Sequence, residues 1–287
     1  MNESEIIHNA LEEDLGASWK DVSVEALGSV GDNSSTSKVI VKEAGIVCGL
    51  WLIDEVIKKV MMVCGKGEFS HLFSVECYFS DGEFVEPGSV IAEIDCPVGI
   101  ILSAERTILN FLQRLSGIAT LTKKFVVAVS HTKCKILDTR KTAPGLRCLD
   151  KLATKFGGAL NHRFGLYDMV MLKDNHIKAM DGNIKKAVEQ TRMIVGPTKK
   201  IEVETSTFEE VKAAVGSGAD MVMLDNMSIE LMKKCVAWVK GRVPLEASGG
   251  INLENAGKVA DTGVDYISVG EITHSPKALD ISLKIVS

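Results

Sequence analysis

From residue 135 to residue 270 the chain alternates short apolar runs with longer segments of helical periodicity, and the runs close on charged or glycine-rich groups. Ile136-Leu137, Met169 to Leu172, Ile201 to Glu204, Met221 to Leu224, Leu245 to Ala247 and Tyr266 to Val269 read as strands. Leu146 to Phe156, Phe208 to Val215, Ser228 to Lys240 and Asn252 to Asp261 read as helices. Such alternation predicts parallel strands joined by helical crossovers. The closing groups are Arg140-Lys141, Lys173-Asp174, Glu204, Asp225-Asn226, Ser248-Gly249-Gly250 and Gly270. All stand at strand carboxyl ends, which a barrel gathers on one face, where active sites form. Six strands fall short of the eight of a complete (β/α)8 barrel. The predicted fold class is therefore α/β, an incomplete (β/α) barrel of about six parallel strands.

The N-terminal part follows another rhythm. Glu5 to Leu15 puts Ile6, Ile7, Ala10, Leu11 and Leu15 on one helical face before a stop at Gly16. Val39 to Val41, Phe73 to Phe79 and Val90 to Ile94 read as strands, with turns at Asp81-Gly82, Pro87-Gly88 and Pro97 and a helix over Leu50 to Val63. This predicts an α+β, sandwich-like domain over residues 1–115, a barrel domain over 116–274, and a tail, 275–287, that packs on the first domain. Asp54, Glu55, Lys58 and Lys59 read as a solvated helix face and His71 as a surface or sheet residue. Ser103 is placed as the cap of a long helix starting at Ala104, with Glu105 in its first turn and Ile108, Leu109, Leu112 and Leu115 buried. Arg106 would then be a cation near the positive end of that helix, and Arg114 reads as structural.

Composition excludes several classes. A net charge of -5 and 5% aromatic residues do not make a nucleic-acid surface. No apolar run approaches the roughly 20 residues that span a bilayer, and the opening MNESEIIHNALEEDLG is acidic where a targeting peptide is basic. A cytoplasmic protein with no membrane partner is expected. The seven cysteines are scattered, with no C-x-x-C pair for zinc or redox chemistry, and read as small buried hydrophobes. Against this acidic background, residues 137–176 carry seven cationic and four acidic side chains, +3 locally. A cluster of that kind suits a small, highly charged anion.

That stretch contains DTRKTAPGLR, GGALNHRFGLYD and MLKDNHI, preceded by ERTILNFLQRLSGIAT and followed by IEVET, MLDNM, EASGGI and DYISVG. In this order the motifs resemble the type II phosphoribosyltransferases, and among them the quinolinate phosphoribosyltransferase family. The resemblance covers most of the chain beyond about residue 35. It implies transfer of the phosphoribosyl group of 5-phosphoribosyl-1-pyrophosphate to quinolinate with decarboxylation, giving nicotinate mononucleotide, pyrophosphate and CO2 in NAD biosynthesis. It implies a homodimer, or a larger assembly, whose sites are shared between subunits. Carried onto this sequence, it assigns Arg106, reaching into the neighbouring subunit's site, together with Arg140, His162 and Arg163 to quinolinate. Lys141 and Lys173 go to the anionic groups of the phosphoribosyl donor, and Glu204 and Asp225 to the ribosyl and metal site. Lys141, Lys173, Glu204 and Asp225 form the implied catalytic set. Ala17 to Ser23 departs from the family's Gly-Asp-x-Thr turn, and Ala143 and Ala159 replace the commoner Thr and Gly.

The chemistry of the residues agrees with these roles. Guanidinium groups match carboxylates in a bidentate manner, and lysine serves pyrophosphate as a point charge. Glu204 and Asp225, at the ends of adjacent predicted strands, offer hard oxygens to Mg2+, which bridges phosphates to one or two carboxylates. Ser248, Gly249 and Gly250, repeated in kind by Val269-Gly270, suit a phosphate bound through backbone N–H groups. Glu202 lies lower on the strand of Glu204 and is a weaker candidate. His176 reads as a supporting residue or helix cap, and His8, His131 and His274 as structural. The rival readings are a molybdenum-utilisation paralogue with the same fold and a non-catalytic phosphate-binding barrel; Lys173-Asp174-Asn175-His176 favours the quinolinate enzyme.

Overall fold

The computed structural model describes residues 2–66 and 73–286, so His71 lies outside the described residues. The chain forms two compact units, one of Met1–Lys123, Ala143–Gly158 and Pro276–Ser287, the other of Lys124–Thr142 and Ala159–Ser275.

In the first unit, helices α1 (Glu3–Leu15), α2 (Val22–Leu27), α3 (Trp51–Val63), the first part of α4 (Val98–Val129) and α5 (Arg147–Phe156) accompany strands β1 (Ser34–Val41), β2 (Gly45–Ile46), β3 (Ser74–Cys77), β4 (Phe84–Val85) and β5 (Val90–Pro97). In β1, alternate residues Ser35, Ser37, Val39 and Val41 are buried, the period-two signature of a one-sided sheet. β1 pairs antiparallel with β5 on one side and with the C-terminal strand Ile281–Ile285 on the other, and β3 completes the four-stranded sheet beyond β5. The apolar faces of α1 and α3 join Ile108, Leu112 and Leu115 of α4 in one buried cluster. Asn2 and Glu5 close a reciprocal capping box that starts α1. Arg114 forks onto the wholly buried Asp150 at 2.9 and 2.7 Å, the structural role its sequence context suggested.

Two expectations change here. Pro97 ends β5 rather than making a turn, and α4 begins at the next residue. Ser103 is therefore inside α4, where its hydroxyl bonds Asp21 Oδ2 at 3.2 Å, and Arg106 stands more than a turn beyond the positive helix end. The apolar start Val98-Gly99-Ile100-Ile101 carries no capping signal, and the polar Ser103 drew the predicted boundary inward.

The second unit is a six-stranded parallel sheet of β6 (Lys135–Leu137), β7 (Val170–Leu172), β8 (Ile201–Thr205), β9 (Met221–Asp225), β10 (Leu245–Ser248) and β11 (Tyr266–Ser268). The spatial order is β6-β11-β10-β9-β8-β7. First and last strands thus pair, as in a closing barrel, and β6 and β7 are the edge strands. Leu160 makes an isolated parallel bridge to Leu137 at the edge of β6. The predicted incomplete barrel is the observed one. Its helices are α6 (Asp174–Lys178), α7 (Ile184–Val195), α8 (Phe208–Gly216), α9 (Ile229–Val239), α10 (Ala256–Ala260) and α11 (Glu271–His274). α7 was not read from the sequence, although Asn183 caps it and Gly196 ends it. α10 is shorter than expected because Asn252 and Asn255 hold residues 252–255 in a turn, with the Asn255 amide donating to the Gly250 carbonyl at 2.9 Å.

Candidate active site

The carboxyl ends of the six parallel strands surround a cavity of about 780 Å3, within the size range of a small-molecule site. Its walls include Arg140, Lys141, His162, Arg163, Lys173, Glu204, Asp225, Ser248, Gly249, Gly250 and Gly270. Of the predicted site residues only Arg106 stands elsewhere, exposed on α4 in the first unit. The sequence reading missed Glu246 and Glu271 in this wall, it placed Asn226 at a strand end without giving it a role, and His274 is corrected from a purely structural reading to a residue of the cavity. His8 and His131 stay outside it, one with its ring tilted at 40° against that of Trp19 and the other paired with Asp261 at 2.9 Å.

Each wall residue has a local cause. Asp138, wholly buried just past β6, accepts from Asn161 Nδ2 at 2.7 Å and from His162 N at 2.8 Å, which pins the 161–163 turn to the sheet. Arg163 donates to the Met169 carbonyl at 3.0 Å. Burial, and then Arg140, lower the pKa of its guanidinium, yet guanidinium stays protonated in proteins. Lys173 directly follows β7, and its Nζ donates to Glu204 Oε2 at 2.7 Å. His176, inside the first turn of the short α6, accepts the N–H of the N-cap residue Lys173 at Nδ1 (2.9 Å) and so supports the start of that helix.

The glycines at the strand ends are dictated by space. Gly249 has φ +90, and a Cβ there would lie 2.2 Å from Asn226 Oδ1. Asn226 itself takes the left-handed conformation at φ 52 and donates to Asp225 Oδ2 at 2.9 Å. At Gly270 a Cβ would come within 3.0 Å of Lys141 Cδ and 3.1 Å of His274 Cδ2, a tight fit against two side chains of the cavity.

At the floor, His162 Nε2 lies 3.1 Å from Glu202 Oε2 and 3.4 Å from Glu246 Oε2, and both glutamates are wholly buried. The first distance is a hydrogen bond, the second an electrostatic contact. Burial by itself would lower the histidine pKa, but the carboxylates outweigh it and raise it from 6.5 to about 9. Burial likewise raises the Glu202 carboxyl, against the pull of His162. The Arg163 N–H donates to Nδ1 at 2.6 Å, a role for the unprotonated nitrogen, and so opposes the second ring proton. The Nε2 proton is present in either form. Glu202 Oε1 and both Glu246 oxygens have no hydrogen-bond donor.

A family model described as "Quinolinate phosphoribosyl transferase, C-terminal domain" matches residues 118–284, and one described as "Quinolinate phosphoribosyl transferase, N-terminal domain" matches 21–116. The chain belongs to the quinolinate phosphoribosyltransferase family. It is 41% identical over 255 residues to a protein of Bacillus subtilis named probable nicotinate-nucleotide pyrophosphorylase (carboxylating), covering 89% of this chain and 85% of that one. The chloroplastic enzyme of that name from Arabidopsis thaliana is 41% identical over 299 residues, covering 95% and 83%. Among solved structures, nicotinate-nucleotide pyrophosphorylase from Ehrlichia chaffeensis matches with a TM-score of 0.90 at 38% identity, covering 100% of this chain and 99% of that one. Among the described residues no helix is long and apolar enough to cross a membrane.

Proposed function

We infer that the chain transfers the phosphoribosyl group of 5-phosphoribosyl-1-pyrophosphate to quinolinate and removes one carboxylate, giving nicotinate mononucleotide, pyrophosphate and CO2 for NAD biosynthesis. The observation that carries this reading is one cavity in which Arg140, Lys141, Arg163 and Lys173 face Glu204, Asp225 and the Ser248-Gly249-Gly250 turn. Two polyanions need that many cations, and a sugar cation forming between them needs carboxylates.

Arg140 and Arg163 hold the two carboxylates of quinolinate, with His162 beside them. Lys141 and Lys173 receive the pyrophosphate. The Ser248–Gly250 turn and Gly270 take the 5-phosphate. The ring nitrogen attacks ribose C1 as the C1–O bond to pyrophosphate breaks, through an oxocarbenium-like transition state that the site positions and stabilises. The bond from ring C2 to its carboxylate then breaks, its electron pair remains on C2 next to the new pyridinium nitrogen, and C2 takes up a proton.

The donor set of Glu204 and Asp225, two carboxylates on adjacent strands at the cavity, fits Mg2+. When bound, the ion neutralises charge on the leaving pyrophosphate. Before substrate arrives, Lys173 keeps Glu204 ordered and Asn226 keeps Asp225 ordered. In this reading the enzyme is a homodimer, and Arg106 completes the site of the neighbouring subunit.

Incubation with quinolinate, phosphoribosyl pyrophosphate and Mg2+, with nicotinate and nicotinamide in parallel, tests the reaction. Nicotinate mononucleotide with stoichiometric CO2 from quinolinate alone is expected, and silence with all three acceptors from folded protein would overturn it. The shared site is tested by mixing Arg106→Ala with Lys173→Ala protein. Activity should return through hybrid dimers, and failure to complement would sink that part.

A further inference from the structure

We propose that Glu246, acting through His162, is a positioning residue that sets the affinity of this pocket for the acceptor diacid; the inference rests on the phosphoribosyl-transfer reading above. Glu246 sits on β10 two residues before Ser248, in the cavity wall yet wholly buried, and neither of its carboxylate oxygens has a hydrogen-bond donor. An unsatisfied buried carboxyl carries a desolvation cost, and a pocket for anions is an odd place to keep one. Its neighbour explains it. His162 Nε2 stands 3.4 Å from Glu246 Oε2 and 3.1 Å from Glu202 Oε2, while Nδ1 accepts the Arg163 N–H at 2.6 Å. The imidazole is therefore clamped between two strands at one nitrogen and the backbone of Arg163 at the other. A shift of the ring is a shift of the residue whose guanidinium holds a substrate carboxylate.

Two other uses of the same atoms fit less well. The three donors lie within 4.8 Å of one another, a spacing open to a metal ion. A ligating histidine, however, gives one nitrogen's lone pair to the ion and donates a proton from the other, and here an ion on the Nε2 side would need a proton on Nδ1, which already faces the Arg163 N–H at 2.6 Å. Alternatively the two carboxylates are only counter-charge for Arg140, Lys141, Arg163 and Lys173. Removing one would then tighten the binding of every anion.

The test is steady-state kinetics of wild type, Glu246→Ala and Glu246→Gln, with each acceptor and donor varied in turn and unfolding midpoints measured alongside. Glu246→Ala should raise KM for quinolinate about tenfold or more while KM for phosphoribosyl pyrophosphate stays within about twofold. Glu246→Gln, which keeps shape and polarity, should recover part of the loss. The isosteric Gln variant carries the test if Ala does not fold. A parallel rise of both KM values, tighter binding of both anions, unchanged constants, or stoichiometric zinc retained by wild type and lost by the variants would each overturn the proposal. Inactivity of the wild type would sink the underlying reading, an outcome distinct from any variant difference.

Discussion

At the rim of the cavity Lys173 and Glu204 meet at 2.7 Å with side chains 45% and 14% exposed, whereas at the floor His162, Glu202 and Glu246 are 7%, 0% and 0% exposed. Both clusters pair a cation with carboxylate. The lysine of the rim pair is half in water, so forming or breaking the pair changes free energy little, and either group can turn to a substrate. The floor cluster has left water, so each member depends on the others and removal of one strands the rest. The same chemistry thus gives exchangeable ligands at the top of the barrel and a rigid support one layer below.

The largest effect expected from this contrast is on turnover. Lys173→Ala should lower kcat by about 100- to 1,000-fold, the scale of a lost charge-stabilising donor, and leave the circular dichroism spectrum unchanged. A variant nearly as active as wild type would show that the rim lysine is not part of the chemistry. At the floor the main loss should be in stability. Glu202→Ala is expected to cost about 3 kcal/mol in denaturant unfolding, and a cost under about 1 kcal/mol would erase the distinction between floor and rim.

The floor should also respond to pH. His162 titrates at about 9 in the folded chain against 6.5 ordinarily, so its stabilisation is complete below about pH 6.5 and fades as pH rises through about 9. The whole span corresponds to at most about 3 to 4 kcal/mol, and the Arg163 N–H at Nδ1 reduces it. Unfolding free energies at pH 7 and 9.5 should differ in the wild type and much less in His162→Asn; equal differences would place the titration elsewhere. Gly249→Ala should cost about 2 kcal/mol through its left-handed backbone and the clash with Asn226. The smallest effect should be the rim pair's own share of stability. Lys173→Ala should shift unfolding by less than about 1 kcal/mol despite its loss of turnover, and a larger shift would make the pair structural.

Much of the rim was legible before any coordinates. Strand ends are marked by the switch from apolar runs to Arg140-Lys141, Lys173, Glu204, Asp225 and Ser248-Gly249-Gly250, and parallel β/α order sends such ends to one side. The floor was not legible in the same way. Glu246 reads as one acidic residue within LEAS, and only the pairing of Glu246 with Met223 and of Glu202 with Met221 brings both carboxylates inside the same barrel. Glu202 was noticed only because it shares a strand face with Glu204. His274 was passed over for a related reason: it lies beyond the last strand, and only the turn of the chain after Gly270 brings it to the cavity. Helix limits failed where packing overrode local signals, as at Ser103 inside α4 and at the asparagine-held turn before α10.

The sequence by itself determined the strand–helix order, the charge that gathers at the strand ends and the glycine, Gly249, that leaves room for Asn226. These depend on period, propensity and side-chain volume, which are local. Only the tertiary structure decided that β6 lies against β11 and not β7, that Arg114 is spent on Asp150, and that His162 is held by two carboxylates 40 and 84 residues away along the chain. Those outcomes follow from which surfaces lose water together, a property of the closed sheet that no single segment carries.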